Sequence, residues 1–132
     1  MSQENVEIVS RSLEAYGQRE TDYLRAISDP GLVLDWSESR GWLAGVYRGI
    51  DEALRFYASH FEAFEEIVLE PDSLIDAGDS VAVPNVARQR GRDGIEVYAR
   101  STLVFTFRDG KILRICLYQE SAPALRAVGL EE

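Results

Sequence analysis

Apolar residues recur every three or four positions at Val6, Val9, Leu13 and Tyr16, so a helix is expected from about residue 6 to Gly17. A shorter pattern of the same kind, Tyr23, Leu24 and Ile27, predicts a brief second helix over 21–28, ended by Asp29-Pro30-Gly31. Leu32-Val33-Leu34-Asp35-Trp36 reads as a strand. Residues 37–49 contain three glycines and no sustained period, and read as a loop at the edge of a pocket. Helical spacing resumes at 50–64 with Leu54, Tyr57, Ala58, Phe61 and Phe64, while Asp51 and Glu52 complement the positive end of the helix dipole.

From residue 66 the period shortens towards two. Ile67-Val68-Leu69 and the segments 80–90, 95–107 and 111–120 are strand candidates, separated by the turn sequences Asp76-Ala77-Gly78-Asp79, Gly91-Arg92-Asp93-Gly94 and Arg108-Asp109-Gly110. Successive antiparallel neighbours are the simplest arrangement. Ser121 can open a last short helix with Pro123 early in it, Leu125 and Val128 as contacts, and Gly129 as its end. Three helices followed by a strand meander predict an α+β fold, in which the amphipathic helices and one face of a curved, mostly antiparallel sheet bury each other. A strongly bent sheet leaves a concavity.

At 132 residues the chain suits one domain, 1–132, because two domains would leave neither half enough core. The balance of 23 acidic against 14 basic residues, a formal charge of -9, disfavours nucleic acid and anionic membrane surfaces as partners. Arg88, Arg90, Arg92 and Arg100 form a basic stripe without aromatic interleaving, which reads as a solvated strand end. No segment approaches the roughly 20 apolar residues that span a bilayer, and Met1 to Asn5 lacks the features of an export signal, so a cytoplasmic location is expected. Cys116 has no partner for a disulfide and reads as a small apolar strand residue, and one histidine gives no multi-histidine centre. No metal or cofactor is expected.

Several segments together resemble the SnoaL-like branch of the NTF2-like superfamily: Gln3-Glu4-Asn5-Val6-Glu7, Asp29-Pro30, Val46-Tyr47-Arg48-Gly49, Leu74 to Asp79, Arg108 to Ile112 and Ala124 to Leu130. The resemblance implies a cone in which a curved sheet wraps a pocket lidded by helices, and a homodimer paired through exposed sheet faces. These motifs are turns, caps and packing positions, which specify a shape that hosts many chemistries. Asp35 resembles the general-base aspartate of the ketosteroid isomerases in this superfamily, since it follows a two-residue extended lead. The chain departs from those enzymes at their oxyanion-stabilising pair, where Ser12 and Leu103 stand. Two missing donors argue against steroid isomerisation, each such donor being worth about 3 kcal/mol.

Asp35 is thus the candidate proton acceptor, provided that its carboxylate faces an apolar cavity that raises its pKa. His60, one helical turn from both Tyr57 and Phe64, is the candidate assistant on the same inward face. Alternation sets Val81, Val83, Asn85, Ala87 and Gln89 on one face of their strand, with Asn85 the polar exception. The resemblance assigns Ser101, Leu103, Phe105 and Phe107 to the concave face, followed by Leu113, Ile115, Leu117 and Gln119. Trp36, Trp42, Tyr47 and Tyr57 are expected to close the mouth around a ligand. The expected ligand is a small hydrophobic or aromatic molecule. Three readings stay open: a metal-independent isomerase, cyclase, dehydratase or hydrolase; a binding or sensing protein without catalysis; and an oligomerisation scaffold whose outer sheet face, including Tyr98, Arg100, Thr102 and Tyr118, joins a second copy.

Overall fold

The computed structural model describes residues 2–130. The chain runs α1 (Ser2–Gly17), α2 (Thr21–Ala26), β1 (Ser28–Asp35), β2 (Val46–Arg48), α3 (Ile50–Ala63), β3 (Glu66–Pro71), β4 (Ile75–Asp76), β5 (Ser80–Arg90), β6 (Glu96–Arg108), β7 (Lys111–Tyr118) and α4 (Ser121–Ala127). The strands form one sheet in the order β2-β1-β7-β6-β5-β3, with β4 also paired to β5. The fold is α+β and NTF2-like, as expected, with α1, α2 and α3 on the concave face.

Four details differ from the sequence reading. Asp29-Pro30-Gly31 does not end the preceding element but lies within β1, where the pairing register shifts between Ser28 and Val33. β1 pairs with β7 in parallel, so the sheet is mixed. β2 and β4 are short strands within segments that read as a loop and a turn. Between Thr106 and Phe107 the β6–β7 register also shifts, because Thr106 faces Arg114 and Phe107 faces Ile112. The extra residue is Leu113, a bulge that turns Ile112 inward in its place.

Pro84 shows why a proline is tolerated inside β5. β3 pairs with β5 from Asn85 to Arg90, and β4 pairs with Val81 and Ala82, so Pro84 falls in the gap between these two neighbours. Its carbonyl accepts a bond from the Asp72 amide at 2.8 Å, and its missing N–H leaves no partner unpaired.

The main core joins Val9 and Leu13 of α1, Ala53, Phe56, Tyr57 and Phe61 of α3, and the inward residues Leu32, Leu34, Val81, Val83, Leu103 and Phe105 of the sheet. Gly17 is needed where α1 meets β3, since a Cβ there would lie 2.9 Å from the backbone oxygen of Ile67. On the convex face α4 buries Ala124 against Ala82 and Val104. Thr102 bonds Ser121 of α4 at 2.9 Å and is only 2% exposed, so this part of the outer face is covered within the chain. Among the described residues, no helix is long and apolar enough to cross a membrane.

Candidate functional site

A cavity of about 520 Å³ remains between the concave face of the sheet and the helices. Its floor on the sheet is apolar, built by Leu103, Phe105, Ile112, Ile115 and Leu117, and Leu24 of α2 adds to the apolar lining. Such a surface favours an apolar guest and holds few groups able to orient one. Trp36 packs against Phe56 with ring centroids 5.2 Å apart at one side of the cavity. Trp42 reaches its edge from the loop 37–45 while remaining 69% exposed.

The polar groups inside form a chain. α1 carries Tyr16 and α3 carries His60, and the Tyr16 hydroxyl lies 2.6 Å from His60 Nδ1. On the other side of the ring, His60 Nε2 lies 2.5 Å from Oε1 of Gln89 on β5. Burial, above all, pushes His60 below its usual pKa; Arg19 acts in the same direction and the Gln89 bond opposes them. The imidazole is therefore neutral at pH 7. Burial likewise raises Tyr16 well above the usual phenol value, with Tyr57 adding to the effect, and burial raises Tyr57. Both are neutral phenols. The Tyr57 ring stands edge-on to Tyr16 at 5.3 Å, and no described residue accepts a bond from its hydroxyl.

Asn85 is 1% exposed and lines the cavity. Its Nδ2 donates to the backbone oxygens of Val83, at 3.0 Å, and Ser101, at 3.4 Å. Ser101, Leu103, Leu117 and Gln119 also line the cavity, and the Gln119 amide donates to the Glu38 carbonyl at 2.9 Å, tying the loop to the end of β7.

Two expected site residues are placed elsewhere. In β1, Leu32 and Leu34 are fully buried and Trp36 follows on the same side, so strand alternation turns Asp35 to the opposite face. Its carboxylate accepts from the Ser37 hydroxyl at 2.6 Å, from the Ser37 amide at 3.1 Å and from Arg114 at 2.6 Å. The Ser37 hydroxyl first, and then its amide and Arg114, hold the Asp35 carboxyl below the usual carboxylate range, outweighing its partial burial. A carboxylate so held is a weak base outside the cavity. Tyr47 is a support and does not line the cavity: its hydroxyl donates to the Leu43 carbonyl at 2.6 Å, and its ring lies 4.8 Å from Phe56. Ser12, in the place of a helix-one tyrosine, bonds the Val9 carbonyl at 2.7 Å, while Tyr16 one turn later brings a phenol to the cavity.

Sequence reasoning did not single out Tyr16 or Gln89. The signal was present, since Tyr16 ends the apolar stripe of α1 and Gln89 shares the face of Asn85, four residues along β5. Three arginines of the basic stripe are paired with acids on the strand surface: Arg88 meets Glu66, Glu70 and Glu96, Arg90 meets Glu65 and Glu66, and Arg100 meets Asp72, while Arg92 donates to the Glu62 carbonyl. Among the described residues, no group of three or more histidine, cysteine or acidic side chains is arranged to hold a metal.

A second concavity, of about 650 Å³, opens beside α1 and is lined by Glu4, Glu7, Arg11, Asp79 and Asp109 among others. Its charged lining lacks the apolar area of the inner cavity, which is the better fit to a hydrophobic molecule.

The SnoaL-like domain family matches residues 9–115. Among solved structures, an NTF2-like protein of unknown function from Burkholderia pseudomallei is 23% identical, with 96% of this chain and 98% of that one covered and a TM-score of 0.76. A protein described as a putative polyketide cyclase from Sinorhizobium meliloti is 26% identical over 89% of this chain and 98% of its own, with a TM-score of 0.69. TerC, co-crystallised with polyporic acid, is 20% identical over 95% of this chain and 98% of its own, with a TM-score of 0.74. No curated protein matches the sequence. The chain belongs to the SnoaL-like family, within the NTF2-like superfamily.

Proposed function

We propose that the inner cavity takes up one small hydrophobic or aromatic molecule, and that this uptake is the basis of the protein's activity. The carrying observation is the combination of an apolar floor, aromatic sides and a few inward polar groups in a space of about 520 Å³. The co-crystallisation of TerC with polyporic acid supports the same use of the fold. The test is titration with 2-methoxynaphthalene followed by Trp fluorescence and by thermal unfolding. Saturable 1:1 binding that raises Tm is expected, together with its loss in Ala99→Trp, which fills the mouth at an exposed position. Absence of saturable binding to the folded wild-type protein would contradict the reading.

A second reading adds metal-independent acid–base chemistry, as in an isomerase, cyclase, dehydratase or hydrolase. It is favoured by one observation: a neutral, partly buried histidine bonded to a cavity phenol. The putative polyketide cyclases among the similar structures support it at the level of the fold. Here His60 is the titratable group, and Asp35 has no part. Any turnover found is expected to fall at least tenfold in His60→Asn and to remain in Asp35→Asn; the reverse result would overturn this reading.

A further inference from the structure

The direction of each hydrogen bond around His60 determines what a ligand must bring. An amide oxygen only accepts, so Gln89 Oε1 facing Nε2 at 2.5 Å places the ring proton on Nε2. A neutral imidazole then has its lone pair at Nδ1, which faces the Tyr16 oxygen at 2.6 Å and takes the phenolic proton as an acceptor. Tyr16 has therefore committed its only donor to the protein. What it offers the cavity is an oxygen lone pair.

The opposite side agrees in sign. Asn85 spends its Nδ2 on the Val83 and Ser101 carbonyls, which leaves its Oδ1, also an acceptor, without a described partner. Tyr57 supplies the complementary donor. A guest with only acceptor atoms, such as an ether or a ketone, satisfies Tyr57 and leaves the Tyr16 oxygen facing apolar surface, a mismatch that costs affinity.

We propose that Tyr16 is a specificity-determining residue which selects an aromatic ligand bearing a hydroxyl group, a phenol or enol, that donates to the Tyr16 oxygen. Gln89 is the positioning residue that sets this polarity through the tautomer of His60. The inference rests on the cavity being the ligand site, as proposed above, and adds the chemical class of the ligand.

The test compares 2-naphthol with 2-methoxynaphthalene, which share a ring system and differ in the hydroxyl proton. Wild-type protein is expected to bind the naphthol roughly 5- to 10-fold more tightly, the worth of one buried hydrogen bond. In Gln89→Leu the ring is free to carry its proton on Nδ1 and donate to Tyr16, whose own O–H then turns to the cavity, so the preference is expected to shrink to about twofold or to invert. The ¹⁵N shifts of the His60 ring give a readout independent of any ligand and of that variant's folding: the proton is expected on Nε2 in the wild type. Equal affinity for the two probes, a preference unchanged in Gln89→Leu, or a ring proton on Nδ1 would each overturn the proposal while leaving the cavity a binding site. Failure of both probes to bind the folded protein would overturn the binding reading with it.

Discussion

The Tyr16 hydroxyl lies 2.6 Å from Nδ1 of His60, so one side-chain bond ties α1 to α3 at the cavity. Arg19 adds a second tie just beyond α1, donating to the carbonyls of Phe64, at 2.6 Å, and Glu65, at 3.1 Å. Tyr16→Phe removes the phenol from a partly buried acceptor while keeping the ring packed against Phe61. It is expected to lower unfolding stability by about 1–2 kcal/mol in urea titration, and a change near zero would mean that Nδ1 is already solvated.

His60 also gives a pH dependence whose sign is fixed by its environment. Its pKa is lowered in the folded protein from about 6.5, so near and below that value the unfolded chain binds more protons than the folded one. Stability contributed by the neutral ring is present above pH 6.5 and lost as pH falls from about 7 towards the folded value. The lowered carboxyls, Asp29 and Asp35, lose their contribution only as pH falls below about 4, which separates the two windows. Urea midpoints between pH 7.5 and 5.5 are expected to slope in the wild type and to flatten in His60→Asn; parallel curves would contradict a partly buried ring held neutral.

For Asp35 the expectation is structural. Its ion pair with Arg114 is partly exposed, at 20% and 47% for the two side chains, so solvent and salt screen it. Asp35→Asn is expected to cost less than about 1 kcal/mol, with a cost that shrinks in high salt, and to leave ligand affinity unchanged. A tenfold loss of affinity at unchanged stability would return this residue to the site.

Gly17→Ala sets two effects of opposite sign against each other. Alanine gains up to about 1 kcal/mol in a helix interior, but Gly17 is the last residue of α1 and gains less. The added Cβ would meet the Ile67 backbone oxygen at 2.9 Å, within a paired strand that has little room to shift. The clash is expected to prevail, destabilising by about 1–3 kcal/mol in thermal or urea unfolding, whereas a stabilised variant would show that β3 yields.

The helices and long strands were legible because each repeats its pattern over several turns or alternations, as with Val9, Leu13 and Tyr16 on α1. Features set by pairing with distant segments were not. The parallel β1–β7 contact leaves no local mark in either strand. Leu113 looked inward because a bulge shifts alternation by one residue, and a bulge is invisible in the period it interrupts. Asp35 is the opposite case: the buried Leu32 and Leu34 already fix its parity, and the likeness to another enzyme's base pointed against that alternation. The partnership of Tyr16, His60 and Gln89 joins residues 44 and 29 positions apart, a proximity that only the packed helices and β5 create.

The most direct test of the hollow interior is methyl NMR during titration with 2-methoxynaphthalene, because aromatic ring currents shift the methyl groups they touch. Leu69, Leu103, Ile115 and Leu117, which line the cavity, are expected to move together and saturate, while Leu125 of α4 and Ile75, both in the convex-face cluster around Ala124, stay in place. Shifts confined to Ile75 and Leu125, or none at saturating probe, would contradict an internal binding cavity.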